Sequence, residues 1–526
     1  MTTMRCMMFW LLVSLPFWGT SSLPINPKHI ETQCKFATYP PLCLQTLNQF
    51  GLTHIDDVVS ALVNKTILET KLPSSYFFAK FSSQLVFNQH RHFQDVTDYC
   101  ETLASMSLKR LDQSLSAIKI HGSKKKHDIQ TWISAAITFQ QSCKDSVDSL
   151  SLADTATAHQ ISRKMDYLSR LSSNALSMAN RMSRIINNNN NYSDGGKFPR
   201  WVSGRDRNLL EANTVKANVV VAKDGTGNFQ TVKEAMDAAD GKKRFVIYVK
   251  AGVYKEKIHS NKDGITLIGD GKYSTIIVGD DSVAGGSTMP GSATITMTGD
   301  GFIARDIGFQ NTAGPQGEQA LALNIASDHS VLYRCSIAGY QDTLYAHALR
   351  QFYRECDIYG TVDFIFGNAA AVFQNCYLVL RLPRKKGYNV ILANGRSDPG
   401  QNTGFSVHNC RIVPSSEFSP VKHKYESYLG RPWMKYSRSV VMASIIDDAI
   451  AGKGWIEWPG EKSYISSLYF AEYSNSGPGA GTSGRVRWPG FHVIGDEEAV
   501  KFTVGNFISG SSWLPSTGVK FVSGLQ

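Results

Sequence analysis

Two aspartates and two glutamines recur at a spacing that could bring them together. Gln319, Gln341 and Asp363 are 22 residues apart at each step, and Asp342 precedes Asp363 by 21. In a chain that coils once every 20 to 22 residues, these side chains stack on adjacent coils of one face. Two carboxylates then lie beside two primary amides, a set suited to acid–base or nucleophilic work on a carbonyl. Ladders of Asp and Asn that cap turns are the other reading of the same spacing. Local context separates the two. Asp363 sits in Val362-Asp363-Phe364-Ile365-Phe366-Gly367, an apolar stretch where an unpaired carboxylate is costly, so it needs a cation that spacing cannot name. Asp342 lies in Tyr340-Gln341-Asp342-Thr343-Leu344, also between bulky neighbours.

The elements that must hold these residues change character along the chain. From about Pro24 to Ile186 glycine is scarce and apolar residues recur every three or four positions, as in Ile129, Trp132, Ile133, Ala136, Ile137 and Phe139, or Ile161, Met165, Leu168, Leu171, Ala175 and Met178. This predicts an all-α four-helix bundle with antiparallel helices. Cys34 and Cys43 bracket a Tyr39-Pro40-Pro41 turn that a disulfide could close, and Cys100 and Cys143 could staple two helices. Residues 187–210 read as linker: the run Asn187 to Asn191, then Asp194-Gly195-Gly196, buries nothing apolar. Arg205-Asp206-Arg207-Asn208-Leu209-Leu210 is either a solvated linker end or a processing site.

Over 211–526 short β-branched runs such as Val219-Val220-Val221, Val246-Ile247-Tyr248-Val249 and Ile265-Thr266-Leu267-Ile268 alternate with Gly, Asp and Asn. A solenoid, barrel or sandwich fits. Cysteines choose among them. Cys335, Cys356 and Cys376 are 21 and 20 residues apart, and Leu332, Tyr353, Phe373 and Val407 each stand three before a Cys, the last before Cys410. Coils stacked about 4.8 Å apart would align them, which predicts an all-β, right-handed parallel β-helix.

Composition bounds the function classes. The 526 residues are 42% hydrophobic and 19% charged, too long for one ordinary core and too apolar for disorder. With 55 basic and 44 acidic residues the net charge is +11, which favours a polyanionic partner. Arg5, the apolar run from Cys6 to about Trp18, and Gly19, Ser21 and Ser22 read as a secretory signal over 1–22. That run is shorter than the about 20 residues of a membrane span, so a retained anchor is the weaker alternative. No comparable apolar run occurs later, so the mature protein is expected to be exported without stable membrane insertion; export disfavours nucleic acid and points to an extracellular polyanion. Of nine Cys, Cys6 leaves with the signal, and eight remain for an oxidising compartment. Asn64-Lys65-Thr66 and Asn191-Tyr192-Ser193 are glycosylation sequons. No CxxC pair or His/Asp/Glu cluster has metal-ligand spacing, so neither metal nor cofactor is expected; His329, His347 and His408 read as surface or turn residues.

Five segments then stand in order: Gly252-Val253-Tyr254-Lys255-Glu256, Gln319-Ala320-Leu321-Ala322-Leu323, Tyr340-Gln341-Asp342-Thr343-Leu344, Asp363-Phe364-Ile365-Phe366-Gly367 and Leu429-Gly430-Arg431-Pro432-Trp433. Together they closely resemble the signature segments of plant pectin methylesterases, over about residues 211 to 526. The helical half resembles the pectin methylesterase inhibitor domain, including its two cysteine pairs. The resemblance implies a cell-wall pro-enzyme that removes methyl esters from homogalacturonan, with Asp363 as nucleophile and Asp342 as acid and base. It also implies Gln341 and Gln319 as oxyanion donors and Arg431 as partner of the nucleophile, with Gln319, Arg431 and Trp433 touching substrate. For Trp433 a core position is the alternative. It favours a Cys356–Cys376 bridge, leaving Cys335 and Cys410 unassigned. Pectin, pectin methylesterase inhibitor proteins and a subtilisin-like processing protease are the implied partners, and the helical domain is expected to inhibit or assist folding in cis.

Departures from the family pattern are few. Arg207-Asn208-Leu209-Leu210 replaces a basic-basic-Leu-Leu tetrad, and Met289 falls where a groove threonine is common, with Thr288 beside it. Two rival classes remain. A pectin lyase or glycoside hydrolase would need calcium-binding carboxylates or acids flanking a glycosidic oxygen, and neither pattern is evident. A non-catalytic wall-binding protein would not need the reactive set.

Overall fold

A computed structural model describes residues 27–48, 54–71, 87–149, 156–183 and 216–525. The expected signal (1–22), the 187–210 linker with its Arg205–Leu210 segment, and Asn191 lie outside the described residues. Asn64 is exposed on a helix.

Among the described residues two short helices, α1 (Pro27–Cys34) and α2 (Pro40–Leu47), precede four longer ones: α3 (Ile55–Lys71), α4 (Phe87–His121), α5 (Lys126–Asp148) and α6 (Ala156–Ala179). Pro40 and Pro41 fall in the first turn of α2, where a missing N–H costs nothing. The Cys34–Cys43 disulfide closes the α1–α2 corner, and Cys100–Cys143 ties α4 to α5. Packing runs α3–α4–α5–α6 and back to α3. The apolar stripe of α5 serves two cores. Ile129, Ile133, Ala136 and Ile137 face Val58, Val59, Leu62 and Val63 of α3 inside the helical region, while Ala135 and Phe139 join Ala326, Ala348 and Leu349 of the second region. A helix apolar on both sides is one buried between two layers.

Among the described residues the second region has 26 strands, β1 (Val219–Val221) to β26 (Phe491–Val493), in three all-parallel sheets of eleven, seven and eight strands. From β2 to β24 successive strands change sheet, so each coil there visits all three: a parallel β-helix. The seven-stranded sheet runs β4 (Ile258–Ser260), β7 (Ile295–Met297), β10 (Leu323–Ile325), β13 (Leu344–Ala346), β16 (Ile365–Gly367), β19 (Asn389–Asn394) and β22 (Ser427–Pro432). Leu323, Leu344, Ile365, Leu392 and Gly430 are in register, at steps of 21, 21, 27 and 38 residues. Leu323, Leu344, Ile365 and Leu392 point into the core. Their neighbours Asn324, Tyr345, Phe366, Ala393 and Arg431 therefore share the outer face.

The cysteine periodicity marks one corner of the coil. Arg334, Glu355, Asn375 and Asn409 have φ of 51°, 56°, 56° and 53°, and the next residue in each case is Cys335, Cys356, Cys376 or Cys410. Left-handed backbone turns the strand, and the cysteine after it faces inward. The expected Cys356–Cys376 bridge is not formed; all four are buried thiols. Side chains stacked in register point the same way, whereas a disulfide needs its two Cβ–S bonds turned about 90° apart. Three of them instead donate to a carbonyl of the preceding coil: Cys356 to Leu332 at 3.4 Å, Cys376 to Tyr353 at 3.5 Å and Cys410 to Phe373 at 3.3 Å. Burial pushes the Cys335, Cys356 and Cys376 thiols well up, away from the reactive thiolate.

The two regions are joined by buried charge. Arg350, on the β-helix, donates through Nε and Nη2 to Asp328 at 2.9 and 2.6 Å and through Nη1 to Asp128 of α5 at 2.6 Å. Trp132 Nε1 reaches the same Asp328 at 3.0 Å, and Arg110 of α4 pairs both Nη atoms with Asp300 at 2.7 Å. Arg350 is 1% exposed and Asp328 is 3% exposed. Arg350→Ala should therefore strand a buried carboxylate and cost about 3–5 kcal/mol, read as a lowered denaturant midpoint; a shift below about 1 kcal/mol would deny the pair its structural role.

Candidate active site

Asp342 and Asp363 immediately precede the turns into β13 and β16, and both are left-handed, with φ of 58° and 51°. Asp342 N donates to Val362 O at 3.0 Å and Leu344 N to Phe364 O at 2.9 Å, so the 21-residue step runs through both aspartates and sets them on adjacent coils. The same left-handed φ recurs at the Arg334, Glu355, Asn375 and Asn409 corners, so here it serves the turning of the coil. Gln319 pairs with Gln341 in a parallel bridge, at a step of 22. The extra residue is absorbed just beyond, where Ala322 N and Leu323 N both donate to Thr343 O, at 2.9 and 3.3 Å. The even 22-residue column of Gln319, Gln341 and Asp363 is thus corrected: Asp363 stands beside Asp342.

The cation that Asp363 needs is Arg431, which arrives two coils later on β22, in register with Ala393 and Phe366. The small side chain of Ala393 leaves a path back to Asp363. Nε donates to Oδ1 at 2.8 Å and Nη2 to Oδ2 at 2.5 Å, a bidentate fork. Arg431 is itself held: Nη1 donates to the Tyr388 hydroxyl at 2.9 Å, and the guanidinium carbon lies 4.3 Å from the Trp458 ring centroid. Asp342 and Asp363 are 8% and 5% exposed. Burial pushes both carboxyls up, and on Asp363 the charge and hydrogen bonds of Arg431 oppose that push. On Asp342, burial and then the Asp363 charge act together and raise it well above the usual range. One proton is therefore held by the pair, and it rests on Asp342.

Gln319, Gln341, Asp342, Asp363, Arg431 and Trp433 all line one cavity of about 500 Å³. Its floor is the stacked pair Tyr345 and Phe366, centroids 4.4 Å apart, with Trp433 tilted against Phe366 at 5.8 Å. Trp433 is half-buried: it packs on that cluster and also faces the cavity. A Cβ at position 395 would come within 2.7 Å of its ring, so Gly395 makes its seat. Thr288 and Met289 both line the cavity. The remaining wall comes from the helical region, with Tyr99 of α4 and Ser142 and Asp145 of α5; burial pushes Asp145 up to about 6.

Of the three histidines, His329 is in a left-handed turn as expected, but His347 and His408 are buried. His347 stacks on Tyr345 at 4.3 Å and meets Ser142 Oγ at 2.9 Å, and burial drives it down to about 3, so it is a neutral packing group. Among the described residues no group of three or more His, Cys, Asp or Glu could hold a metal ion, and no helix is long and apolar enough to cross a membrane.

The family model described as Pectinesterase matches residues 218–511, which contain the whole β-helix side of this cavity. The chain belongs to the pectinesterase family. The plant invertase/pectin methylesterase inhibitor model matches residues 28–178, the helices that supply the opposite wall. The chain is 51% identical over 490 residues to "Probable pectinesterase/pectinesterase inhibitor 54" of Arabidopsis thaliana, spanning 90% of this chain and 89% of that one. It is 41% identical to "Pectinesterase 2" of Citrus sinensis, over 98% of this chain and 99% of the relative. Among solved structures, a pectin methylesterase from carrot superposes with a TM-score of 0.58 at 51% identity, covering 60% of this chain and all of the carrot protein.

Sequence reasoning missed Tyr388 and Trp458 at this pectinesterase-family site. Both lie in insertions that break the coil period, so spacing gave no signal for them. Tyr345 and Phe366 were accessible: each stands three residues after a proposed catalytic aspartate, on the outward side of a strand.

Proposed function

We propose that this chain hydrolyses the methyl esters of galacturonate units in pectin, releasing methanol and leaving polygalacturonate. The observation that carries the reading is the asymmetric pair: one buried carboxylate forked by arginine beside another that keeps its proton. Ionised Asp363 attacks the ester carbonyl, and the tetrahedral oxyanion takes amide N–H bonds from Gln341 and Gln319. Asp342 gives its proton to the departing methanol oxygen, leaving an acyl anhydride on Asp363. A water molecule then loses a proton to Asp342 and attacks the anhydride, which restores both side chains. Arg431 keeps Asp363 charged and aimed, and Trp433 offers a ring face to a sugar. The chemistry draws on no cofactor and no metal.

The same reading assigns the remaining parts. Residues 24–186 form a four-helix bundle behind a helical hairpin and block the site in cis; 1–22 direct export to the cell wall; 187–210 link the domains and are open to a subtilisin-like protease; 211–526 are the catalytic unit. The coil is right-handed, the hand that parallel crossover connections take in nearly all cases. Asn64 and Asn191 accept glycans, and inhibitor proteins of the pectin methylesterase type bind the uncovered enzyme.

Methanol release from highly methylated pectin, without new reducing ends or unsaturated products, tests the reaction against lyase and hydrolase alternatives. Its pH profile tests the proton assignment. Activity should rise with pH as Asp363 ionises and fall again only when Asp342 loses its proton, well above the ordinary carboxylate range. A profile with its descending limb near pH 4 would place the proton elsewhere.

A further inference from the structure

We propose that Asn324 is a specificity-determining residue that accepts a hydroxyl hydrogen bond from a sugar unit next to the one under attack. This rests on the esterase reading above. Asn324 is on β10, directly in register with Tyr345 of β13, and Tyr345 with Phe366 of β16, so the outer column that floors the reactive cavity continues to it. Asn324 lies on the coil adjoining that of Asp342 and two coils from that of Asp363, at about 4.8 Å per coil. That spacing is on the scale of one sugar ring per coil.

A second cavity of about 360 Å³ lies there, and it shares Tyr99, Ser287, Thr288 and Pro290 with the reactive one. The two are therefore one groove in which Thr288 and Pro290 form a common wall. The Asn324 side chain lines this extension, is 3% exposed, and its Oδ1 has no hydrogen-bond partner among the described residues. Buried amide oxygens are nearly always satisfied. An acceptor left open inside a groove that leads to an esterase site fits a ligand that brings hydroxyl donors, and a uronate chain carries them on every ring. Next to it on β7, Thr296 adds a hydroxyl in register; Tyr99, Thr102, Leu103 and Met106 of α4 stand across the groove, and none of them bonds Oδ1.

The test uses the full chain, intact and cut once within residues 184–215 and diluted until its helical half dissociates, with methylated pectin fragments of graded length. Asn324→Ala should raise KM for long fragments about tenfold, the effect of losing one buried hydrogen bond, with kcat within about twofold. On fragments too short to reach from Asp363 to Asn324, KM should match the unmodified chain. Asn324→Asp keeps an acceptor and should recover part of the loss at high salt, where its repulsion of a polyanion is screened. An equal KM rise on short and long fragments, or none on either, overturns the proposal. Calorimetric titration of the cut chain with unesterified oligogalacturonate separates this from the catalytic reading. If no form releases methanol the esterase assignment fails, while weaker binding by Asn324→Ala still supports the subsite and equal binding refutes it.

Discussion

Asp363→Ala should lower methanol release by the uncovered enzyme roughly 10⁴-fold or more, because the reaction then has neither nucleophile nor a site for the acyl group. Asp342→Ala should cost about 10²–10⁴-fold, the usual contribution of a positioned acid–base group. Stability separates a chemical role from structural damage: Asp363→Ala should be destabilised, whereas Asp342→Asn should not. Asp363 forks Arg431, so Asp363→Ala leaves a guanidinium that is 7% exposed without its carboxylate fork, held by the Tyr388 hydroxyl and the Trp458 face, with the Asp342 carboxyl near enough to feel its charge. Breaking one side of a buried pair costs about 3–5 kcal/mol. Asp342 holds its proton under burial and beside the Asp363 charge, so Asp342→Asn replaces one neutral group by another and leaves no buried charge unpaired. That variant should be as stable as the natural chain or more so, the usual mark of a residue kept for chemistry. Arg431→Lys should also fail, since an ammonium cannot fork both carboxylate oxygens. Natural-level methanol release by either aspartate variant would sink the mechanism, whatever its stability.

What the sequence could disclose is tied to the regularity of the coil. Asp342 and Asp363 are one plain turn apart, and the cysteines repeat because each follows a left-handed corner residue such as Glu355 or Asn375. Where the period breaks, legibility ends. The steps that carry the chain from Ile365 to Leu392 and on to Gly430 are 27 and 38 residues, so nothing in spacing alone links Arg431 to Asp363; only the Leu429–Trp433 motif did. Tyr388 and Trp458 come from segments outside the repeat, and the single residue absorbed at Thr343 shifted the expected glutamine column. Cysteines stacked one per coil suggested a bridge, yet the same stacking aligns their side chains in parallel. Helix periodicity disclosed the apolar stripe on α5 but not that one side of it, with Ala135 and Phe139, is spent on the β-helix.

The second large effect concerns that covering. The intact chain should release methanol at least 100-fold more slowly than the chain cut within 184–215 and freed of its helical half. Tyr99, Ser142 and Asp145 wall the cavity that holds Asp342 and Asp363, so α4 and α5 stand in the path of a polymer laid across the reactive pair. A hundredfold suppression requires the closed arrangement to be favoured by about 2.8 kcal/mol. The contacts supply the means: Arg350 with Asp128, Arg110 with Asp300, Ser173 Oγ donating to Asp398 at 2.5 Å and Gln401 Nε2 donating to Ser134 O at 2.9 Å. A covalent link adds to this, since a tethered partner is present at roughly millimolar effective concentration. Cutting should therefore act in two stages. Severing the chain removes the tether but leaves the buried pairs, and activity should rise fully only on dilution or when the contacts are weakened. Salt screens the exposed Lys109 pairs with Asp263 and Asp300, but hardly touches Arg350. Asp128→Ala should thus release the cut chain at lower dilution than salt does, without altering Arg350's fork to Asp328. Equal rates for intact and separated forms would mean that the helices open at no cost, and the cavity they share with the β-helix would then have no regulatory content.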